Sequence, residues 1–160
     1  MKGTVAFAGG LAGAGALTLI HETVKRIEPK APRMDLLGMT ALSKAMLATG
    51  KVPPPPRKLF MLTMAGDLAA NALFYSIAGI GHKQGVVKRG IILGLSAGLG
   101  AVLLPGRMGL PEAPSNRTSA TRLMTLGLYL AGGIVAALIS KTLEQRREQR
   151  VMLEDDQRPE

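Results

Sequence analysis

Four long runs of uncharged, mostly apolar residues alternate with polar and charged connectors along the chain. The first, residues 3–20, is free of charge over 18 residues, and the second, residues 59–81, carries a single charge in 23 residues. The third and fourth, residues 90–106 and 123–140, contain 17 and 18 uncharged residues. A helix of this length covers roughly 26 Å, which is within the range for crossing a bilayer. The pattern therefore predicts four transmembrane helices.

The alternative interpretation is a soluble bundle of four buried helices. The helices of such a bundle would show a polar stripe at helical period, whereas these runs are apolar around their whole circumference. The chain is 47% hydrophobic but only 3% aromatic and has no Trp, although soluble cores depend heavily on aromatic side chains. We therefore predict an all-α, polytopic integral membrane protein, and we expect it in the bacterial inner (cytoplasmic) membrane.

The run boundaries divide the chain into a helical membrane domain, residues 1–140, and a charged helical extension, residues 141–160, which we expect to project into water. The first run resembles a secretory signal, but we expect it to be retained as a span. It should continue as a helix to about residue 27, before the prolines that end it. The predicted spans are therefore residues 3–27, 59–81, 90–106 and 123–140.

A shorter helix is predicted between the first two spans, at about residues 34–48. Leu36, Met39, Leu42 and Met46 recur there at spacings of three or four residues, which is typical of an amphipathic helix. The segment is too short to cross a bilayer. We expect it to lie in the membrane interface, and the equally supported alternative is a cover helix packed on a partner subunit.

The charge pattern indicates anionic lipid headgroups rather than nucleic acid as the partner of the basic residues. The formal net charge is +9, but the Lys and Arg residues flank the apolar runs, and aromatic interleaving of the kind used by single-strand binders is missing. With four crossings, nine basic residues lie on one side and eleven on the other, so the charge bias gives no orientation. Three spans are the alternative, with the second run not crossing.

Small residues recur at four-residue intervals in every predicted span. Such lines let helix backbones approach closely, and they drive association when lipid removes the hydrophobic incentive. We predict that they form helix-packing faces, and because there are more of them than four spans need, we expect some to meet other protein chains. The residues concerned are Gly9, Gly13, Gly90, Gly94, Gly98 and Gly132.

The second run carries the only polar stripe of the apolar segments: Thr63, Asp67, Asn71 and Tyr75 follow one another at four-residue spacing and share one helix face. An ionised carboxylate inside a membrane costs a few kcal/mol on insertion scales, so Asp67 must be protonated, paired or hydrogen-bonded. We expect a contact with His21, completed by Asn71 or Thr63. The favoured interpretation is a polar clasp between helices, and the alternative is a proton or ion relay.

Other chemistry has little support in the sequence. His21 and His82 are the only histidines and are predicted at opposite ends of a span, so each is at most a single axial ligand to haem or chlorophyll. Cys is absent, and the Gly-rich stretch AGGLAGAGAL lacks the strand and the spacing of a nucleotide loop. We predict no catalytic residues, no metal site and no resident cofactor, and hence a protein that is not an enzyme.

These features together lead us to expect an accessory or scaffold subunit that docks into a larger membrane protein complex through its Gly/Ala faces. Its partners would be other membrane subunits and anionic lipid headgroups. One alternative is a small oligomeric proton-coupled transporter or channel that uses Asp67. Another is a helper subunit that binds a lipid, a quinone or a pigment.

Overall fold

The computed structural model describes residues 1–156, and within them the chain is helical, with no strand. Four of its helices are long and apolar enough to cross a membrane, which confirms the all-α prediction and fits an integral membrane protein. The third helix is prolonged by a 3₁₀ turn, Ile77–Gly79. The α-helices are α1 (Gly3–Ile27), α2 (Met34–Ala48), α3 (Pro56–Ser76), α4 (Val86–Arg107), α5 (Ala113–Asn116) and α6 (Ser119–Asp156).

The four long helices pack in the order α3, α1, α6, α4, so that the first and last helices of the chain lie side by side in the middle. Neighbours run in opposite directions, since Gly9 lies opposite Ser140 and Gly13 lies opposite Gly132. The molecule thus has an amino-terminal end, near Met1, and a connector end, which holds residues 28–55 and 108–118. The outer helices α3 and α4 make little contact with each other.

The six glycines predicted to form packing faces all contact other helices of the same chain. A methyl group on Gly94 would lie 2.7 Å from the Cα of Leu130 and 2.8 Å from the carbonyl oxygen of Tyr129. One on Gly13 would lie 2.5 Å from the carbonyl oxygen of Gly132. The helices therefore touch backbone to backbone. Because α6 presents small residues to α1 on one side and to α4 on the other, these six glycines need no second chain.

At the connector end, hydrogen bonds tie the two connectors together. Pro105 lies inside α4, and the segment that follows contains the short helix α5. The bonds run from Arg33 N to Pro114 O (2.7 Å), from Arg117 Nη2 to Pro29 O (2.6 Å) and from Thr121 Oγ1, at the start of α6, to Lys30 O (2.8 Å). Thr125 Oγ1 of α6 also donates a hydrogen bond to Ser115 O of α5 (3.0 Å). They fix where α2 lies on the long helices.

The helix α2 has the predicted residues, but a different face of it packs on the other helices. Leu37 is buried, whereas Leu36, which we expected on the apolar face, is 43% exposed. The side chains of α2 that border the interior are Met34, Leu37, Gly38 and Ala41. The helix is therefore apolar on its inner face as well as outside, and its position in the membrane interface stays a prediction.

At the amino-terminal end, α6 continues beyond the apolar run as a helix to Asp156. Residues 157–160 of the predicted extension lie outside the described part of the chain. The extension does not simply project away, because Lys83 forms an ion pair with Glu148. Between α3 and α4, a 3₁₀ turn, Lys83–Gly85, leads directly into α4. Arg89 then donates a hydrogen bond to the carbonyl oxygen of Ala78 (2.9 Å).

Candidate functional site

Asp67 lies in the middle of α3, where it borders two adjoining spaces in the interior of the molecule. The first, which we call the inner cavity, has a volume of ≈ 40 Å³ and lies between α1, α2, α3 and α6. The second, which we call the groove, has a volume of ≈ 300 Å³ and is open to the surface between α2 and α4. Asp67 and Tyr129 line both, so the two spaces meet at these side chains.

The predicted polar stripe of α3 faces the other helices. Thr63, Asn71 and Tyr75 are buried, and Asp67 is partly buried. Thr63 and Asp67 line the inner cavity, while Tyr75 lies two turns further on, in the core beside Leu17, Leu128 and Ala136. The hydroxyl of Tyr75 donates a hydrogen bond to the carbonyl oxygen of Tyr129 (2.8 Å). The stripe thus places a hydroxyl and a carboxylate in one space and holds α3 against α6.

His21 lines the inner cavity together with Asp67, so the two residues expected to be in contact share one space, and no hydrogen bond joins them among residues 1–156. Instead, His21 Nε2 lies 2.9 Å from the carbonyl oxygen of Pro32. A carbonyl oxygen can only accept, so Nε2 carries the proton and donates. The turn after α1 brings this carbonyl within reach of the buried ring. His82 is exposed at the amino-terminal end, far from the site.

Asp35 is a wall residue of the inner cavity that sequence reasoning missed. It is buried, and it is paired with Lys25 Nζ (3.2 Å) and Arg33 Nη2 (3.1 Å). Lys25 also contacts Glu22 Oε1 (2.6 Å), so Lys25 joins the two carboxylates. Burial acts to raise the pKa of Asp35, but hydrogen bonds and charge from Arg33 and Lys25 outweigh it and hold the pKa below its ordinary value.

Replacing Asp35 with asparagine is expected to lower the free energy of unfolding by roughly 1.5–3 kcal/mol at neutral pH, the usual loss for hydrogen bonds to a charged group. Because the folded-state pKa is lowered, this contribution is complete above the ordinary pKa of 3.8 and is lost as the pH falls below it. Denaturation of both proteins in detergent, at neutral pH and below pH 4, measures the difference. Asp156→Asn, on the exposed end of α6, is the control. A stability difference that does not shrink in acid would contradict the assignment.

Asp67, in contrast to Asp35, is not part of any ion pair between described residues. No Lys or Arg is among the side chains of residues 1–156 that line the inner cavity or the groove. Beside it, Thr63 is only 8% exposed. Its buried hydroxyl has no hydrogen-bond partner among the described residues. The site therefore combines an uncompensated carboxylate and an unused hydroxyl with an apolar groove.

The groove is apolar apart from its inner end. Its walls are made by Leu37 and Ala41 of α2 and by Gly100, Ala101 and Leu104 of α4. Small residues on both walls leave it open: a methyl group on Gly100 would meet only the Leu104 side chain, at 3.5 Å. At the connector end, Lys44 reaches across from α2 and donates hydrogen bonds to the carbonyl oxygens of Met108 (3.0 Å) and Gly109 (3.2 Å).

Comparison with known proteins adds no family to this description: no family model, curated protein or solved structure matches the chain. In the part of the chain that the structure describes, no group of three or more His, Cys, Asp or Glu side chains is placed to hold a metal ion. The chemistry of the site has to be deduced from its own geometry. That geometry consists of a small cavity lined in part by polar side chains, and an apolar groove that shares Asp67 and Tyr129 with it, among helices suited to a bilayer.

Proposed function

We propose that this chain is a small integral protein of the bacterial inner membrane that binds an amphipathic molecule the size of a lipid or a quinone. It acts as a binding protein and not as an enzyme. The carrying observation is the groove between α2 and α4, which is apolar along its walls and ends at Asp67. Asp67 also lines the inner cavity, where the buried hydroxyl of Thr63 has no partner. The polar head occupies the inner cavity, and the apolar chain occupies the groove.

The lining and the volume of the groove agree with this proposal. Small-molecule sites are mostly apolar, with a few placed polar groups and a volume of roughly 300–1,000 Å³; the groove has ≈ 300 Å³. Gly100 and Leu104 belong to a candidate span, so the opening faces hydrocarbon. Lys44 donates a hydrogen bond at the carboxyl end of α4 and so stabilises it. Its side chain also narrows the opening of the groove at the connector end. We infer that the ligand enters sideways from the lipid.

Replacing Gly100 with leucine is expected to fill the groove and to reduce ligand occupancy by about tenfold or more, equivalent to ~1.4 kcal/mol. The new side chain points into the groove and does not disturb the packing of α4 on α6, because only Leu104 lies near it. Native mass spectrometry of the chain extracted in mild detergent measures the fraction that carries a bound small molecule.

The matched control is Gly127→Leu. Gly127 lies on the exposed face of α6 and has no atom within 4 Å of the added methyl position, so this variant adds the same side chain on the lipid-facing surface. It should retain wild-type occupancy. Equal occupancy in Gly100→Leu and in wild type would show that the groove is not the binding site.

A second function is favoured by the outer face of α3, which would make the chain an accessory subunit of a larger membrane complex. Small residues there leave room for another helix to approach closely, and a methyl group on Gly66 would meet no atom within 4 Å. In the same native mass spectra, a co-purifying polypeptide supports this function and a bound small molecule supports the first. The exposed residues of this face are Met61, Leu62, Ala65, Gly66, Ala69, Ala70 and Leu73.

A further inference from the structure

We propose that the head group selected by the inner cavity is a primary ammonium, so that the ligand is an amphiphile with an unsubstituted amine. The inference rests on the proposed binding function and adds the chemical class of the ligand. It is carried by three independent observations at the inner cavity: an uncompensated carboxylate, an unused buried hydroxyl and a small volume.

The two carboxylates of the cavity wall differ in their cationic partners. Asp35 has two cationic partners, Lys25 and Arg33, whereas Asp67 has none among the described residues, and no Lys or Arg lines the cavity. A carboxylate away from water is stabilised only by a countercharge or by hydrogen-bond donors. A ligand cation supplies the missing countercharge, while an anionic head such as a carboxylate or a phosphate is repelled.

The hydrogen-bonding groups point to the same class. Thr63 Oγ1 is buried without a partner in the wall that also carries Asp67. The Nε2–H of His21 is already engaged with Pro32. The Asp67 carboxylate and the hydroxyls of Thr63 and Tyr129 all offer acceptor oxygens to the cavity. An ammonium group has three N–H donors and no acceptor, and it satisfies the Asp67 carboxylate and the Thr63 hydroxyl together. The carbonyl oxygens of a quinone, which only accept, add neither a hydrogen-bond donor nor a countercharge at Asp67.

The small size of the cavity favours a compact head group. Its volume of ≈ 40 Å³ leaves room for a few water-sized groups. An unsubstituted ammonium brings three N–H donors into this space, whereas a trimethylammonium head is larger and has no N–H to donate. The ligand is therefore held by direct N–H bonds at Asp67, with its apolar chain leaving past Tyr129 into the groove.

The test is a competition among dodecylamine, dodecanol and dodecyltrimethylammonium, which share one alkyl chain and differ only in the head. The chain in detergent is given an equimolar mixture, and bound species are counted by native mass spectrometry. Dodecylamine should exceed each of the other two by about tenfold or more, as expected for charge-assisted hydrogen bonds. Asp67→Asn should bring the ratio of amine to alcohol close to one. Because each variant meets the same mixture, partitioning into micelles cancels.

Two further variants make the result interpretable. Thr63→Val removes the hydroxyl at nearly constant volume and should reduce the preference for the amine several-fold, which tests the inference even if Asp67→Asn does not fold. Glu148→Gln removes a carboxylate at the other end of the molecule, where it pairs with Lys83, and should leave the preference unchanged.

The inference and the proposed function fail in different ways. An unchanged ratio of amine to alcohol in Asp67→Asn, or equal binding of the trimethylammonium compound, overturns the assignment of a primary ammonium. In that case the groove still stands as a binding site if Gly100→Leu abolishes binding of dodecanol. If the wild-type chain binds none of the three compounds, the proposed function is wrong and this inference with it.

Discussion

Replacing Gly94 with alanine should lower the free energy of unfolding by about 1–3 kcal/mol, the usual effect of overpacking a close contact. The added methyl group would lie 2.7 Å from the Cα of Leu130 and 2.8 Å from the carbonyl oxygen of Tyr129. Both are backbone atoms, which cannot rotate away, so α4 and α6 must separate along their whole contact. Chemical denaturation in detergent, followed by circular dichroism, measures the loss.

The matched control is Gly100→Ala, six residues further along α4. A methyl group on Gly100 meets only the tip of the Leu104 side chain, at 3.5 Å, so Gly100→Ala keeps the packing and gains helix propensity. It should raise the free energy of unfolding by up to ~1 kcal/mol. The two Gly→Ala changes are thus expected to have opposite signs. If both stabilise the protein, α4 and α6 are not in backbone contact at Gly94.

Tyr75→Ala should destabilise the protein more than Gly94→Ala does. The side chain is fully buried, its hydroxyl bonds to the carbonyl oxygen of Tyr129 (2.8 Å), and its ring packs on Gly132. Truncating a buried aromatic side chain to alanine costs roughly 3–5 kcal/mol in water-soluble proteins. We expect the lower end of that range, because lipid is as apolar as the core and mainly packing is lost.

Leu73→Ala is the control for this change, since Leu73 lies on the same helix and is 63% exposed; it should change stability little. Tyr75→Phe separates the two contributions of the tyrosine, because it keeps the ring and removes a hydrogen bond worth about 0.5–1.5 kcal/mol. Thermal unfolding of the three variants in the same detergent gives the comparison. A Tyr75→Ala protein as stable as Leu73→Ala would mean that α3 does not pack on α6 through this residue.

The long helices could be predicted because runs of 17 or more residues with at most one charge are a property of the sequence alone. Their ends could not be placed by the same criterion. The third span begins at Val86, four residues before the uncharged run, because Lys88 and Arg89 are helical as well. The second begins at Pro56, a residue type that is well suited to the first turn of a helix. Charged residues at helix ends are still helical. A criterion based on the absence of charge therefore predicts helices that are too short.

The candidate site could be predicted only in part. Spacing placed Thr63 and Asp67 on one face, and the structure brings both into the inner cavity. The capture of His21 by Pro32 and the pairing of Asp35 depend on how the first connector folds back, which local pattern does not encode. The choice of Leu37 over Leu36 as the buried residue of α2 likewise follows from hydrogen bonds between two connectors far apart in sequence.

The adjacency of the first and last long helices has a consequence for biosynthesis. Ribosomes release α1, α3 and α4 into the bilayer before α6 exists, yet α6 is the main packing partner of α4 and one of the two partners of α1. Until residue 119 and those after it are inserted, the glycine-rich sides of α1 and α4 that face α6 have only acyl chains beside them. Completion of the core therefore waits until α6 has been translated and inserted, and a message truncated before residue 119 yields a chain in which α1 and α4 lack their shared packing partner.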